Sequence, residues 1–142
     1  MLTHLVAKNR FAFLLEDEVR LHHFKSQLDH ISYGTSVTAN VQGTLLASTP
    51  FVKYEWHTDG IEHREVQTEM IGSYNLPNML GATAVGLKLG VDPFRIDLAI
   101  STYVPDNNRS QLEQRGSNTL ILDCYNANPS SMVAAIDNIA VT

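Results

Sequence analysis

Apolar positions along the chain change their period twice, and the changes divide it into three stretches. Residues 11–15, Phe-Ala-Phe-Leu-Leu, form an unbroken apolar run of buried-strand length. Glu16-Asp17-Glu18 then opens a helical pattern with Val19, Leu21, Phe24 and Leu28 as its apolar members; acids in the first turn and Lys25 near the end suit the helix dipole. Ile31-Ser-Tyr-Gly34 reads as the next strand. Strand, helix and strand over this length predict a βαβ crossover and a parallel pair.

From residue 36 to residue 71 no helical period is present. Residues 41–47 and 51–56 are rich in strand formers, Pro50 lies between them, and Asp59-Gly60 is a two-residue hairpin signal before an extended run over 61–71. The pattern predicts a small antiparallel sheet of three strands.

Helical periodicity returns after Gly72-Ser-Tyr-Asn-Leu-Pro-Asn78. Ser73 or Asn75 is placed to cap a helix that accepts Pro77 in its first turn and runs through Leu89 to a stop at Gly90. Gly81 and Gly86 inside this helix predict close packing against neighbours. Asp92-Pro93 starts a second helix over 94–103, which ends before Pro105. The polar segment 106–110 is the best domain boundary. Beyond it, residues 111–113 and 119–123 read as strands around a turn at Arg115-Gly116-Ser117. Asn128-Pro129 begins a last helix with Met132, Val133, Ile136 and Ile139 on its apolar stripe.

Composition narrows the function class. A hydrophobic fraction of 44% and a charged fraction of 18% suit a soluble globular chain, and 142 residues are enough for one modest core. No apolar run approaches the roughly 20 residues that span a membrane, and the first ten residues lack the long apolar core and cleavage site expected of a secretory signal. A formal charge of -5 argues against a nucleic-acid surface as the main function. The single Cys124 excludes an internal disulfide and fits a reducing cytoplasm.

Candidate chemistry collects at three places. Asn75 and Asn78 are three apart at a helix start and share a face. A carboxamide can donate to N7 of adenine and accept from its N6 amine, although plain helix capping is the simpler reading of the spacing. Arg109 stands in the boundary segment, where its guanidinium can take phosphate oxygens or simply remain solvated. Asp123 closes an apolar strand, the position from which α/β proteins offer a carboxylate to a ribose hydroxyl or a Mg²⁺-bound water, and Tyr125, Asn126 and Asn128 follow it. The six His residues show no ligand spacing, so no metal site is expected. Neither GxxxxGK[ST] nor GxGxxG occurs. The chain therefore carries candidate nucleotide contacts without a phosphate cradle, and is expected to be a piece of a larger nucleotide-using enzyme.

Three segments resemble the Mur ligase family of cell-wall synthesis. Gly72-Ser-Tyr-Asn-Leu-Pro-Asn-Met-Leu-Gly-Ala82 resembles the family's Gly-x-His-Asn-x-x-Asn-x-x-Ala-Ala segment, with Tyr74 in place of the His. Pro105-Asp-Asn-Asn-Arg-Ser-Gln-Leu112 is similar to the segment around the family's Arg at the join of the central and C-terminal domains. Leu122-Asp-Cys-Tyr-Asn-Ala-Asn-Pro129 resembles Asp-Asp-x-Tyr-Asn-Ala-Asn-Pro, with Leu122 in place of the first Asp. The Tyr-Asn-Ala-Asn-Pro run is closest to the branch that adds D-alanyl-D-alanine to UDP-N-acetylmuramoyl-tripeptide.

The resemblance implies an α/β fold. Residues 1–108 would be the second half of an ATP-binding central domain, and 109–142 the first βα unit of a Rossmann-like C-terminal domain. It implies ATP with Mg²⁺ as cofactors and amide-bond formation through an acyl phosphate. By the same resemblance Asn75 and Asn78 face adenine, Arg109 the phosphates and Asp123 the ribose or metal shell, while Tyr125, Asn126 and Asn128 shape the interdomain cleft. The phosphate loop, Mg²⁺ ligands and UDP-sugar domain would lie upstream of Met1, and the rest of the C-terminal domain after Thr142. The chain alone is then expected to be inactive. The rival expectation is a non-catalytic binding or assembly module built on part of a ligase scaffold.

Overall fold

The computed structural model describes residues 11–106 and 111–122, with residues 129, 132, 133 and 136 beyond them. Five strands form one sheet in the order of the chain: β1 (Ala12–Leu15), β2 (His30–Gly34), β3 (Val41–Ala47), β4 (Lys53–Thr58) and β5 (Ile61–Gln67). β1 and β2 are the parallel pair expected from the βαβ pattern. β3 to β5 form the antiparallel meander, turned at Asp59-Gly60. The meander is not a separate small sheet, as the sequence pattern suggested. β3 pairs in parallel with β2, Tyr33 opposite Val41, so one mixed sheet runs through both stretches. Hydrogen bonding between the two strands is a tertiary choice that periodicity does not encode.

The crossover from β1 to β2 also differs from expectation. In place of an α-helix over 16–28 there is a six-residue 3-10 helix, Val19–Phe24. Its residues include two His, a Val and a Phe, all weak helix formers. The acids that suggested a helix start are used elsewhere. Glu18 accepts from the Arg20 guanidinium at 2.7 and 2.8 Å. Glu16 is buried, ion-paired with Lys25, and accepts from Thr38 Oγ1 at 2.8 Å. Phe24 and Leu28 still reach the core, packing with Ala12 and Leu14 on one face of β1.

The other sheet face is covered by α1 (Leu76–Lys88), and α2 (Pro93–Ser101) packs against α1 and β5. The main core lies between α1 and the sheet: Leu76, Met79, Leu80 and Ala84 against Val41, Val52, Tyr54, Trp56 and Val66. α1 sits directly on the backbone of β3. A Cβ added at Gly43 would lie 2.4 Å from Leu80 Cδ2. The expected close packing of the helix glycines is present, with Gly81 facing the Tyr33 ring and Gly86 facing Ile96. Asp92 caps α2 by accepting from Phe94 N at 2.9 Å, as Asp-Pro predicts.

Asp97 ties α2 to the sheet. Its two oxygens accept from Trp56 Nε1 at 2.8 Å and Arg64 Nε at 2.6 Å, which satisfies the one polar atom of a fully buried indole. A second, two-stranded sheet pairs β6 (Gln111–Arg115) with β7 (Asn118–Leu122) in antiparallel fashion, around the turn expected near Gly116. Pro129, Met132, Val133 and Ile136 are helical, in accord with the expected last helix.

Two predictions follow from these contacts. Asp97→Ala leaves the Trp56 N–H without its acceptor and should lower stability by about 2 kcal/mol in urea denaturation. Glu16 gives a pH signature. Burial raises its pKa, but hydrogen bonds and charge from Lys25, with Thr38 and Ser32, outweigh that and hold it below 4.5. A depressed folded pKa means stability present above the unfolded value and lost as pH falls through the folded one. Midpoints measured from pH 6 downward should therefore fall below about pH 4.5, and Glu16→Gln should flatten that acid limb.

Candidate functional site

Because β3 is parallel to β2, and β4 and β5 each reverse direction, β5 runs the same way as β1, β2 and β3. The chain leaves β5 at the carboxyl end of these strands, where α/β sheets bind ligands. There it makes a 3-10 turn, Ser73–Asn75, and enters α1. Tyr74, at the position of the family's His, lays its ring against Gly72, where any Cβ would fall within 2.3 Å of it.

Asn75 occupies the N-cap position of α1 without capping it. Its backbone is already in the helical region, at φ -83° and ψ -12°, and its side chain makes no capping hydrogen bond. Instead, Asn75 Nδ2 donates to the carbonyl of Ile71 at 2.9 Å, and Asn75 Oδ1 accepts from Asn78 Nδ2 at 3.2 Å. The capping reading of the sequence is thus replaced by a carboxamide relay along one helix face. Asn75 is 7% exposed, whereas Asn78 lies open.

Both carboxamides line a cavity of about 390 Å³, a size within the range of small-molecule sites. Its walls come from three directions. Met70 follows β5, Met79 and Ala82 extend the helix face of the two Asn residues, and Ala99 and Ile100 approach from α2. Tyr103 and Pro105, just past α2, close the rim. The lining is apolar apart from the carboxamides and the Tyr103 hydroxyl, and none of these side chains carries a charge at neutral pH. The walls of the cavity are thus largely apolar, with one polar edge at the two carboxamides.

Asn75 and Asn78, candidates from the sequence, both line this cavity, together with Met70, Tyr103 and Pro105, which the sequence pattern did not single out. Met79 and Ala82 follow Asn75 and Asn78 at helical spacing and were legible as an extension of the same face. Tyr103 and Pro105 are more than twenty residues away, and the packing of α2 against α1 alone brings them in. Arg109, Asp123, Tyr125, Asn126 and Asn128 lie outside the described residues. Among the described residues no group of three His, Cys, Asp or Glu side chains converges as a metal site.

Fold and site geometry define a mixed α/β chain with a ligand-sized cavity at the carboxyl end of its sheet. No family model matches the chain. It is 31% identical over 112 residues to the UDP-N-acetylmuramate–L-alanine ligase of Chlorobium chlorochromatii (strain CaD3), a stretch covering 75% of the chain and 23% of that protein. It is 36% identical over 78 residues to the UDP-N-acetylmuramoyl-tripeptide–D-alanyl-D-alanine ligase of Mycobacterium leprae (strain TN), covering 54% of the chain and 15% of that protein. Among solved structures, MurF from Acinetobacter baumannii superposes with a TM-score of 0.80 at 22% identity, over 94% of the chain and 30% of that protein. MurF ligase from Thermotoga maritima, in complex with ADP, gives 0.76 at 16% identity, over 93% and 31%. Sequence and fold together support membership of the Mur ligase family. The chain spans about a quarter of the length of the curated relatives it matches.

The relay makes Asn75 a stability residue whatever it binds. Asn75→Ala removes the donor to the Ile71 carbonyl at the entry to α1 and should cost about 1–3 kcal/mol in chemical denaturation. Asn78→Ala, at an open position, removes the donor to Asn75 Oδ1 and should cost about 1 kcal/mol.

Proposed function

We propose that this chain carries part of the ATP site of an amide ligase of peptidoglycan precursor synthesis. The observation that carries the reading is the Asn75–Asn78 pair at the mouth of the apolar cavity. An uncharged slot with one carboxamide edge suits the adenine ring and leaves the phosphates to groups outside it. The ADP bound to the Thermotoga maritima neighbour is consistent with a nucleotide on this scaffold.

In the proposed reaction ATP converts a carboxylate to an acyl phosphate and releases ADP. An amine nitrogen then attacks the acyl carbon, and the tetrahedral intermediate expels phosphate to leave an amide. Catalysis of this kind depends on alignment and charge neutralisation. Asn75 and Asn78 hold the base, and Arg109 takes phosphate oxygens. Asp123 approaches the ribose or the water shell of Mg²⁺, and Tyr125, Asn126 and Asn128 shape the cleft. The proposed role of this chain is nucleotide positioning. Residues 1–108 are assigned to the ATP-binding domain and 109–142 to the start of the following ligase domain. A cytoplasmic location accords with the nucleotide substrates; among the described residues no helix is long and apolar enough to cross a membrane.

For the peptide substrate we favour UDP-N-acetylmuramoyl-tripeptide with D-alanyl-D-alanine as the incoming amine, on the strength of Tyr125-Asn-Ala-Asn-Pro129. The longer match to an L-alanine-adding ligase supports the alternative. The two readings separate in an assay of a longer polypeptide that adds an upstream phosphate loop. Offered both pairs of substrates, it should ligate D-alanyl-D-alanine to the tripeptide and leave L-alanine unused; the reverse result assigns the other branch.

The same polypeptide tests the site. Calorimetry with ATP and Mg²⁺ should show tight binding to it and only very weak binding to the 142-residue chain. Asn78→Ala should weaken binding by about ten-fold. Tight ATP binding or turnover by the short chain above a blank would refute the division of the site, and a short chain that binds ATP tightly without turnover would favour the non-catalytic module.

A further inference from the structure

We propose that a second cavity, at the amino end of the parallel strands and beside the last turns of α1, binds a small amphipathic carboxylate. It lies at the opposite end of α1 from Asn75 and Asn78, and it stands whether or not the first cavity takes a nucleotide.

The second cavity measures about 490 Å³, within the range of small-molecule sites. Ile31 of β2, Val41 of β3 and Ile61 of β5 supply its sheet side, and Ala84 and Leu87 come from α1. Its polar members are His30, Asn40, Thr58 and Lys88, and none of the described residues that line it is acidic.

The charge at this site is unspent. Lys25 and Lys53 are ion-paired with Glu16 and Glu65. Lys88 meets no carboxylate among the described residues. Its Nζ stands 4.2 Å from the centre of the Phe11 ring, a contact that holds an ammonium in place without neutralising it. The carbonyls of the last turn of α1 would otherwise face an anion, but they are occupied. Leu89 N donates to Val85 O and Gly86 O, Gly90 N to Leu87 O, and Val91 N to Gly86 O.

The direction of the Asn40 amide is fixed from below. Its Oδ1 accepts from Ser32 N at 2.8 Å and from Ser32 Oγ at 3.0 Å. A backbone N–H can only donate, so the amide cannot turn over, and Nδ2 is the end left for a ligand. Neither Asn40 Nδ2 nor the Thr58 hydroxyl has a partner among the described residues. His30 is held by its Nδ1, which donates to the Leu28 carbonyl at 2.9 Å and leaves Nε2 as the open nitrogen of the ring. An ammonium and an amide donor call for carboxylate oxygens, and the aliphatic walls call for a hydrocarbon body. A single exposed ammonium holds a carboxylate weakly in water, so the body is needed as much as the charge.

The test titrates the 142-residue chain with four probes at millimolar concentration, read by protein-detected NMR: hexanoate, 1-hexanol, hexylammonium and acetate. Hexanoate should bind about ten-fold more tightly than each of the other three. Its shifts should fall on the methyl groups of Ile31, Val41, Ile61 and Leu87 and on the Asn40 side-chain amide. Lys88→Met keeps an apolar stem and removes the charge. It should weaken hexanoate about ten-fold and leave 1-hexanol within about two-fold. Asn40→Asp keeps the acceptor for Ser32 and replaces the open donor with a carboxylate oxygen, so it should reverse the order and favour hexylammonium. Should Asn40→Asp not fold, Lys88→Met at its exposed position decides the matter alone.

Hexanoate affinity that is unchanged in Lys88→Met, or a folded Asn40→Asp that still prefers hexanoate, overturns the proposal. So does equal binding of hexanoate and 1-hexanol by the unsubstituted chain. Hexanoate shifts that collect at Met70, Ala82 and Tyr103, or no shift with any probe, overturn it as well.

Discussion

The seat of α1 on the sheet is the contact on which the remaining architecture depends. At Gly43 the β3 backbone carries no side chain, and Leu80 fills the space that a Cβ would occupy. Leu80 is fully buried, and the rest of the main core gathers around it. Holding a helix this close to a strand sets its height above the sheet, and the height determines where its first turn emerges. The N-terminus of α1 is thereby placed at the carboxyl end of β5, with Asn75 buried and Asn78 open. A second close approach, Gly86 against Ile96, brings α2 alongside and closes the cavity. Asp97 then fastens α2 to Trp56 and Arg64.

The cavity is assembled from separate segments, and its chemistry is correspondingly one-sided. Apolar walls and two carboxamides can orient an uncharged ring. They cannot neutralise a triphosphate, which requires guanidinium, ammonium or metal charge. The proposed phosphate contact, Arg109, lies just beyond Pro105 at the cavity rim in sequence.

Similarity to Mur ligases covers most of this chain and about a quarter of its curated relatives. The solved structures resemble it in fold at identities near or below one residue in four. Scaffold and local motif therefore carry separate information. The arrangement of the sheet, α1 and α2 is what the chain shares in fold with these solved structures.

Much of this was readable from local chemistry. The parallel pair, the Asp59-Gly60 hairpin, the Asp92 cap and the two helices follow from hydrophobic period and turn residues, which act over a few positions. The acids before Val19 misled because Glu16 answers Lys25 and Thr38 inside the fold and not a helix dipole. The union of β2 with β3, and the gathering of Met70, Tyr103 and Pro105 around Asn75 and Asn78, are relations between segments with no shared period. The amino-acid sequence by itself determined that two carboxamides share one face at the start of α1; only tertiary packing decided that one would be buried as a relay and the other left open, since burial and hydrogen-bond direction depend on what the rest of the chain places beside them.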